Sequence, residues 1–271
     1  MKNAPRTTAW FLTLFASLAT ASAQPDQPAP AADDLQSFIR ATVSAFHQRR
    51  IERLATLELD RVLARKNPYL LKAKSLASPR DLVVELLDSH LKPQESGIFG
   101  SVMEQLALEV CRRTYGGRKS AIEGIDLEFE HAGTRYLVSI KSGPNWGNSS
   151  QINKMRDYFR KAKRTLGTNT AKTSKVVAVN GCCYGKTATE DRGDYLKLCG
   201  KNFWELISGD PQLYQKLIPM IGDESAELNR SFDEEYESAI ERFTTQLRKD
   251  YCDAAGQIRW EKIVELSSGE S

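Results

Sequence analysis

The sequence predicts an α/β fold, in which helices flank a mixed β-sheet and further helices lie toward both chain ends. The first observation is a hairpin pattern: apolar and acidic residues alternate over 125–130, and a β-rich run over 136–141 follows a turn containing glycine. The second is the order of elements, because an amphipathic helix over 151–175 separates the hairpin from another apolar strand. Helical spacing of apolar residues over 34–63 and 231–251 is the third.

Two more helices are predicted before the hairpin. Ser78 and Pro79 indicate the start of a helix that runs through Leu91, since proline is favoured in the first helical turn. Apolar residues recur at helical spacing over 97–113, which predicts another helix there. A chain of 271 residues, with 41% hydrophobic and 27% charged residues, can bury a full core around these elements.

Charge and cysteine usage exclude some classes of protein. The formal net charge of +3 is too small to indicate nucleic-acid binding by itself, so a DNA-binding surface requires local clustering of basic residues. The five cysteines are odd in number and lack CxxC spacing, and there are only three histidines. Neither a zinc site nor a redox centre is therefore expected, and the thiols are predicted to be reduced and buried.

The first 23 residues have the order of a secretory signal peptide. A basic start is followed by an apolar run over 10–19 and by Ala21-Ser-Ala23, the form of a signal-peptidase site. If the start is mis-assigned, this segment is not part of the protein, which is then expected to be cytoplasmic. The alternative is that the segment is a true signal peptide, in which case the protein is exported, periplasmic or secreted, with signal peptidase as its only membrane-bound partner.

The rest of the chain is predicted to divide into four segments. A Pro/Ala-rich linker over 24–33 precedes an N-terminal helical region over 34–95. Residues 96–266 form the sheet-containing core with the C-terminal helices, and residues 267–271 form a tail. The segment before the helical region is therefore expected to lie outside the fold.

An acid and a lysine are predicted to meet on adjacent strands of the hairpin. Asp126 alternates with apolar residues on the first strand, and Lys141 ends the second. A carboxylate can bind Mg²⁺ beside a phosphate, and a nearby lysine can orient or activate the attacking water, so the pair suits phosphodiester hydrolysis. The alternative is that both residues are ordinary polar positions on a solvated sheet face.

The hairpin, from Ile125-Asp126 to Ser139-Ile-Lys141, resembles the core of the PD-(D/E)xK nucleases. Its surroundings are similar to type II restriction endonucleases of the PmeII kind, and the segments that carry this similarity are 97–104, 200–204 and 255–260. The resemblance spans residues 34–266 and implies a restriction-endonuclease-like core, with Mg²⁺ as cofactor and double-stranded DNA as substrate.

The chain departs from the nuclease pattern at Ser139, where most such enzymes carry a carboxylate two residues before the lysine. A hydroxyl brings no charge to offset the desolvation of a divalent cation, so a second carboxylate is needed. The resemblance implies Glu104, on the helix before the core, as that metal ligand, and the carbonyl of Ile140 as a further one. Glu123 is another candidate, and a solvated helix carboxylate is the alternative for Glu104. The predicted catalytic residues are Asp126, Glu104, Ser139 and Lys141.

A DNA-binding surface is predicted directly after Lys141. The loop over 142–151 is rich in amide and hydroxyl side chains, which can bond to base edges, and the next helix carries basic residues on its outward face. Trp146 is expected to anchor this loop, and a second loop supplies one more lysine. The predicted DNA contacts are Asn145, Asn148, Ser149, Ser150, Gln151, Lys154, Lys161 and Lys186.

These expectations favour a Mg²⁺-dependent type II restriction endonuclease that cuts both strands of duplex DNA at a specific, roughly palindromic site. A palindromic site mirrors a two-fold protein axis, so a homodimer is expected, with a cognate DNA methyltransferase as functional partner. Two alternatives stay open. One is a DNA repair or recombination nuclease on the same core, and the other is a non-catalytic DNA-binding protein whose site has decayed at Ser139.

Overall fold

The structure is a computed structural model that describes residues 32–76, 78–169, 175–186, 189–222 and 225–269. The signal-like segment over 1–23 lies outside the described residues, so both predicted locations stay predictions. Among the described helices, none is long and apolar enough to cross a membrane.

The chain divides into two compact units. One, here called the sheet unit, comprises Glu104–Gln215 and the described residues up to Leu35. The other, here called the helical unit, comprises Gln36–Met103 and Lys216–Ser271. The segment boundaries expected from composition stay predictions beside this division.

The sheet unit contains a sheet of six strands in the order β1-β2-β3-β4-β6-β5. The strands are β1 (Arg118–Lys119), β2 (Leu127–His131), β3 (Thr134–Lys141), β4 (Lys175–Cys182), β5 (Glu190–Asp191) and β6 (Leu196–Cys199). Strand β4 is parallel to both β3 and β6, whereas the other neighbours are antiparallel. This mixed sheet confirms the predicted α/β class.

Strands β2 and β3 form the predicted hairpin. Their connection consists of Ala132 and Gly133, which both have positive φ angles, of 48° and 71°. Two consecutive positive φ angles are typical of the tight turns whose twist matches that of paired strands. In the resulting register Leu127 lies opposite Val138, so the beginning of β2 meets the end of β3.

The helices flank this sheet or build the helical unit. They are α1 (Ala32–Ala55), α2 (Leu59–Leu63), α3 (Pro68–Ala73), α4 (Pro79–Tyr115), α5 (Ser149–Asn169), α6 (Lys201–Ser208), α7 (Leu213–Gly222), α8 (Ser225–Tyr251) and α9 (Trp260–Ser268). The core of the helical unit consists of buried side chains from α1 to α4, α8 and α9.

Helix α4 is continuous where the sequence predicts two helices, so that prediction was wrong. Pro93 lies inside it and removes one backbone hydrogen bond, which costs about 3 kcal/mol in a helix interior. Leu91 and Ile98, on either side of the proline, are both buried. Each such burial stabilises by roughly 1.5–3 kcal/mol, so the apolar face offsets the cost of the proline.

Helix α5 is the predicted amphipathic crossover between the parallel strands β3 and β4. Its apolar face includes Met155, Phe159 and Ala162, which are buried against side chains of the sheet such as Leu137 and Ala178. The opposite face is largely exposed. This packing fixes one side of the sheet and leaves the helix's basic residues facing outward, as their spacing indicates.

Candidate active site

Asp126 lies directly before β2, at the edge of the sheet where β3 ends. Its backbone N–H donates to the carbonyl of Val138 at 2.9 Å, so Asp126 extends the hydrogen bonding between β2 and β3 by one residue. Its Oδ2 accepts hydrogen bonds from the backbone N–H of Ile140 at 2.7 Å and from Ser139 Oγ at 3.3 Å. Lys141 Nζ is 4.0 Å from the same oxygen. The structure thus brings together three of the four predicted catalytic residues.

The backbone N–H of Ile140 points toward Asp126. In an antiparallel pair, the N–H and C=O of one residue point toward the same neighbouring strand. Because the N–H of Ile140 donates to Asp126 Oδ2, we expect its carbonyl to point toward the same neighbouring strand. On this expectation a backbone oxygen and a side-chain oxygen lie on one side of β3.

Glu104, the proposed second metal ligand, lies on α4 and pairs with a lysine of β1. Its Oε1 is 3.3 Å from Nζ of Lys119, which lies on β1 opposite Leu127. Burial raises the pKa of the Cys183 thiol to about 12, and the nearby charge of Glu104 adds to this effect. The N–H of Cys183 in turn donates to the carbonyl of Lys141 at 2.9 Å. Glu104 therefore lies near two residues: Lys119, which pairs with β2, and Cys183, which is hydrogen-bonded to Lys141.

The donor set suits a hard cation held by oxygen. Within the described residues, no group of three or more His, Cys, Asp and Glu side chains is arranged for a metal. Mg²⁺ characteristically takes one or two carboxylates from the protein and completes its octahedron with water and substrate phosphate oxygens. Asp126, Glu104 and the Ile140 carbonyl are oxygen donors of the kind that Mg²⁺ prefers. Glu123 instead accepts a hydrogen bond from the Tyr158 hydroxyl at 2.8 Å.

Two residues at the end of the loop after Lys141 cap the N-terminus of α5. Asn148 N–H donates to Gln151 Oε1 at 2.9 Å, and Gln151 N–H donates to Asn148 Oδ1 at 3.1 Å. These reciprocal bonds form a capping box. Bidentate recognition of adenine requires both the oxygen and the NH₂ group of an amide, so the cap leaves chiefly the NH₂ groups of these two residues for a base. Asn145, Ser149 and Ser150 are exposed beside them.

Two arginines of the basic face of α5 pair with Asp194, a residue that the sequence analysis did not single out. Arg160 donates two hydrogen bonds to the Asp194 carboxylate, at 3.1 and 2.8 Å, and Arg156 Nε lies 3.4 Å from Asp194 Oδ2. These contacts, led by the hydrogen bond from Arg160, hold the pKa of Asp194 below its usual value. Lys163 donates to the backbone carbonyl of the same residue. The predicted phosphate-binding lysines Lys154, Lys161 and Lys186 are exposed.

Two other side chains near Lys141 were not anticipated. Asn180, on β4, is 1% exposed and lies opposite Ser139 on β3. Tyr184 is 64% exposed and lies on Gly143, where a Cβ atom would come within 2.3 Å of the tyrosine ring. The available signal was the glycine two residues after Lys141, since glycine permits close approach of a neighbouring group.

A carboxylate and a lysine at one end of a mixed sheet flanked by helices are the arrangement expected of a nuclease with the restriction-endonuclease-like fold. A family model described as "Type II restriction endonuclease EcoO109I" matches residues 33–229, which is most of the chain and includes Glu104, Asp126 and Lys141. The chain belongs to this family of restriction endonucleases. No curated protein matches it. The narrower similarity to the PmeII kind stays a prediction.

Proposed function

We propose that this protein is a Mg²⁺-dependent type II endonuclease that hydrolyses both strands of duplex DNA at a specific, roughly palindromic site. The observation that carries the proposal is the approach of Lys141 Nζ to 4.0 Å from Asp126 Oδ2 at the sheet edge. In a chain of this family, such a pair can hold both the attacking water and the phosphate.

The residues around the pair have separate roles in this proposal. Asp126, Glu104 and the carbonyl of Ile140 would hold Mg²⁺, which when bound neutralises phosphate charge. Lys141 orients the attacking water through its N–H groups, and its positive charge stabilises the negative charge that grows on the phosphate. Ser139 Oγ and the N–H of Ile140 fix the orientation of the Asp126 carboxylate by donating to Oδ2.

The chain's exposed polar groups supply the proposed DNA contacts. Lys154, Lys161 and Lys186 bind backbone phosphates, and the loop amides and hydroxyls contact base edges. A homodimer places one active site on each strand of a palindromic duplex. A cognate DNA methyltransferase, which protects the same site in the host's own DNA, is the expected functional partner.

The proposal is tested by incubating the purified protein with phage DNA in the presence of Mg²⁺ or Mn²⁺. Discrete fragments support site-specific restriction, whereas a smear indicates a nuclease without sequence preference, such as a repair enzyme. DNA that stays intact with both metals contradicts an active enzyme and favours a DNA-binding protein with a decayed site.

A matched variant separates binding from chemistry. Lys141→Ala is expected to lose cleavage by about two orders of magnitude or more, because the lysine acts mainly in the transition state. Its affinity for duplex DNA, measured without divalent metal, should stay close to that of the wild type. Cleavage at the wild-type rate would show that Lys141 has another role.

A further inference from the structure

We propose that Trp146 is a positioning residue for Lys141, and that Asn180 in turn fixes Trp146. The inference rests on the proposed function of Lys141. The indole ring supplies a face that holds the lysine ammonium beside Asp126, so the protein orients this group without a carboxylate at position 139.

Lys141 has an aromatic partner as well as an acidic one. Its Nζ lies 5.1 Å from the centroid of the Trp146 ring, within the range in which the ring's negative face attracts a cation. Its distance of 4.0 Å from Asp126 Oδ2 is too long for a hydrogen bond. The carboxylate alone therefore leaves the ammonium free to move, and the ring restricts it from a second direction.

The orientation of Trp146 is set by a buried amide. Trp146 Nε1 donates to Asn180 Oδ1 at 3.1 Å, and Asn180 Nδ2 donates to the backbone carbonyl of Ser139 at 3.3 Å. Both ends of the amide are engaged, so a flipped amide would lose both bonds. Since Asn180 is 1% exposed, water cannot readily replace either bond. The indole is thereby tied to β3, the strand that carries Lys141.

A second contact pins the same loop. Lys197, on β6 opposite Asn180, donates through Nζ to the backbone carbonyl of Pro144 at 3.0 Å. Side chains from two neighbouring strands thus hold loop positions two residues apart. Trp146 also packs against the apolar cluster beneath α5. A ring held by a hydrogen bond, by packing and by a fixed backbone is suited to positioning a mobile lysine side chain.

The position of Ser139 explains why such a device is useful here. A carboxylate at that position would provide a second negative partner near Lys141, whereas the Ser139 hydroxyl is neutral and donates its hydrogen bond to Asp126 Oδ2. The electron-rich face of Trp146 takes over the orienting part of that task and brings no competing charge to the metal ligands.

The test compares Trp146→Leu, which removes the ring, with Trp146→Phe, which keeps a ring face. Trp146→Leu is expected to lower the single-turnover cleavage rate about tenfold, with the Kd for duplex DNA without metal changed by about twofold or less. Trp146→Phe keeps a ring face but loses the hydrogen bond to Asn180 Oδ1, so it should recover only part of the rate. The matched control is Trp260→Leu in the helical unit, which removes a Lys72–Trp260 contact of the same 5.1 Å and should leave the rate unchanged.

A second readout does not depend on cleavage. In the NMR spectrum of protein labelled with ¹³C at the lysine ε-carbons, the ring current of Trp146 should displace the Lys141 signal, which Lys141→Arg identifies by its loss. Trp146→Leu should return this signal to the position of exposed lysines, and Trp260→Leu should move only the Lys72 signal.

The outcomes separate this inference from the proposed function. A Lys141 signal that Trp146→Leu does not move, or a Trp146→Phe rate as low as that of Trp146→Leu, overturns the positioning role. A Kd that weakens in parallel with the rate also overturns it, because Trp146 would then act in binding. If the wild type does not cut DNA but the Lys141 signal responds as expected, the contact stands and the proposed function fails.

Discussion

Glu104 and Lys119 form an ion pair that joins α4 to β1, with 3.3 Å between Oε1 and Nζ. Lys119 is largely exposed, so the pair is weak and solvent competes with it. The proposed second metal ligand is therefore partly neutralised by a neighbouring cation, and on the proposed function Mg²⁺ would compete with this lysine for the carboxylate.

The first prediction concerns the metal dependence of cleavage. Lys119→Ala removes the competing cation, so half-maximal cleavage should require less Mg²⁺ than in the wild type.

Glu104→Gln should require more Mg²⁺ and lower the cleavage rate strongly with the fold intact. Ser139→Ala should cost less, since it removes a neutral hydrogen bond worth about 1 kcal/mol. Titrations of cleavage against Mg²⁺ measure all three. Equal activity of Glu104→Gln and wild type, together with a gain in Ser139→Asp, would indicate a weakened natural site.

The second prediction concerns the salt dependence of DNA binding. If Lys154 and Lys161 each neutralise one phosphate, the double alanine variant should reduce the slope of log K against log salt by about 2. Arg160→Ala is the comparison, because this arginine is already bonded to Asp194 and should change the slope less. The measurement is a series of Kd values for one duplex at several salt concentrations. An unchanged slope in the lysine variant would exclude this face of α5 from phosphate contact.

The third prediction contrasts two glycines at which an added Cβ would lie equally close to a ring. At Gly181 the atom would be 2.3 Å from Phe203, which is fully buried, so Gly181→Ala should destabilise by roughly 1–3 kcal/mol through overpacking. At Gly143 it would be 2.3 Å from Tyr184, whose exposed ring can turn away, so Gly143→Ala should cost about 0.5 kcal/mol or less. Urea denaturation measures both, and equal losses would contradict the difference in freedom of the two rings.

The fourth prediction concerns stability below neutral pH. Burial, and then the charge of Arg50, lowers the pKa of His47. Arg50 Nη1 lies 3.1 Å from His47 Nδ1, so the neutral imidazole can accept its hydrogen bond and a protonated one cannot. The unfolded chain therefore protonates His47 more readily than the folded chain does. The contribution of neutral His47 to the free energy of unfolding is complete above a pH of about 6.5 and is lost as the pH falls toward the lowered pKa.

His47→Asn keeps an acceptor near Nδ1 without a titrating group. Its melting temperature should fall less than that of the wild type between about pH 7.5 and about pH 5.5, roughly one unit above and below the ordinary histidine pKa. His90, whose pKa is also lowered by burial, remains in this variant, so some dependence should persist. If the melting temperatures of the two proteins fall equally with pH, the acid sensitivity comes from groups other than His47.

Local patterns were sufficient to predict the elements that form the sheet edge. Alternation of apolar residues predicted the hairpin, and helical spacing predicted α5, because each pattern reflects which side of an element is buried. The prediction of two separate helices, one ending at Leu91 and one covering 97–113, was wrong. The helix continues through Pro93 because residues on both sides are buried, and burial depends on packing and not on the local sequence. The capping box of Asn148 and Gln151 has a recognisable spacing, but its use of the amide oxygens became evident only in the structure.

The remaining features of the site depend on contacts between distant parts of the chain. Trp146 and Asn180 are separated by 34 residues, as are Arg160 and Asp194. Neither partner carries a local signal, because an isolated Asn or Asp is most often a surface residue. The parallel pairing of β3 with β4 places Asn180 beside the strand that leads to Trp146, and only the register identifies which residues meet there.

The two ends of the sheet have a consequence for solubility. Strand β1 is the pair Arg118–Lys119 and strand β5 is the pair Glu190–Asp191, so each outer strand is two residues long and fully charged. An edge strand of two residues offers an incoming strand few backbone groups, and this shortness limits strand addition even between the basic β1 of one copy and the acidic β5 of another, whose charges attract. The apolar interior strands are thus shielded from strand addition, and we expect this unit to resist fibre formation at the high local concentrations reached during overexpression.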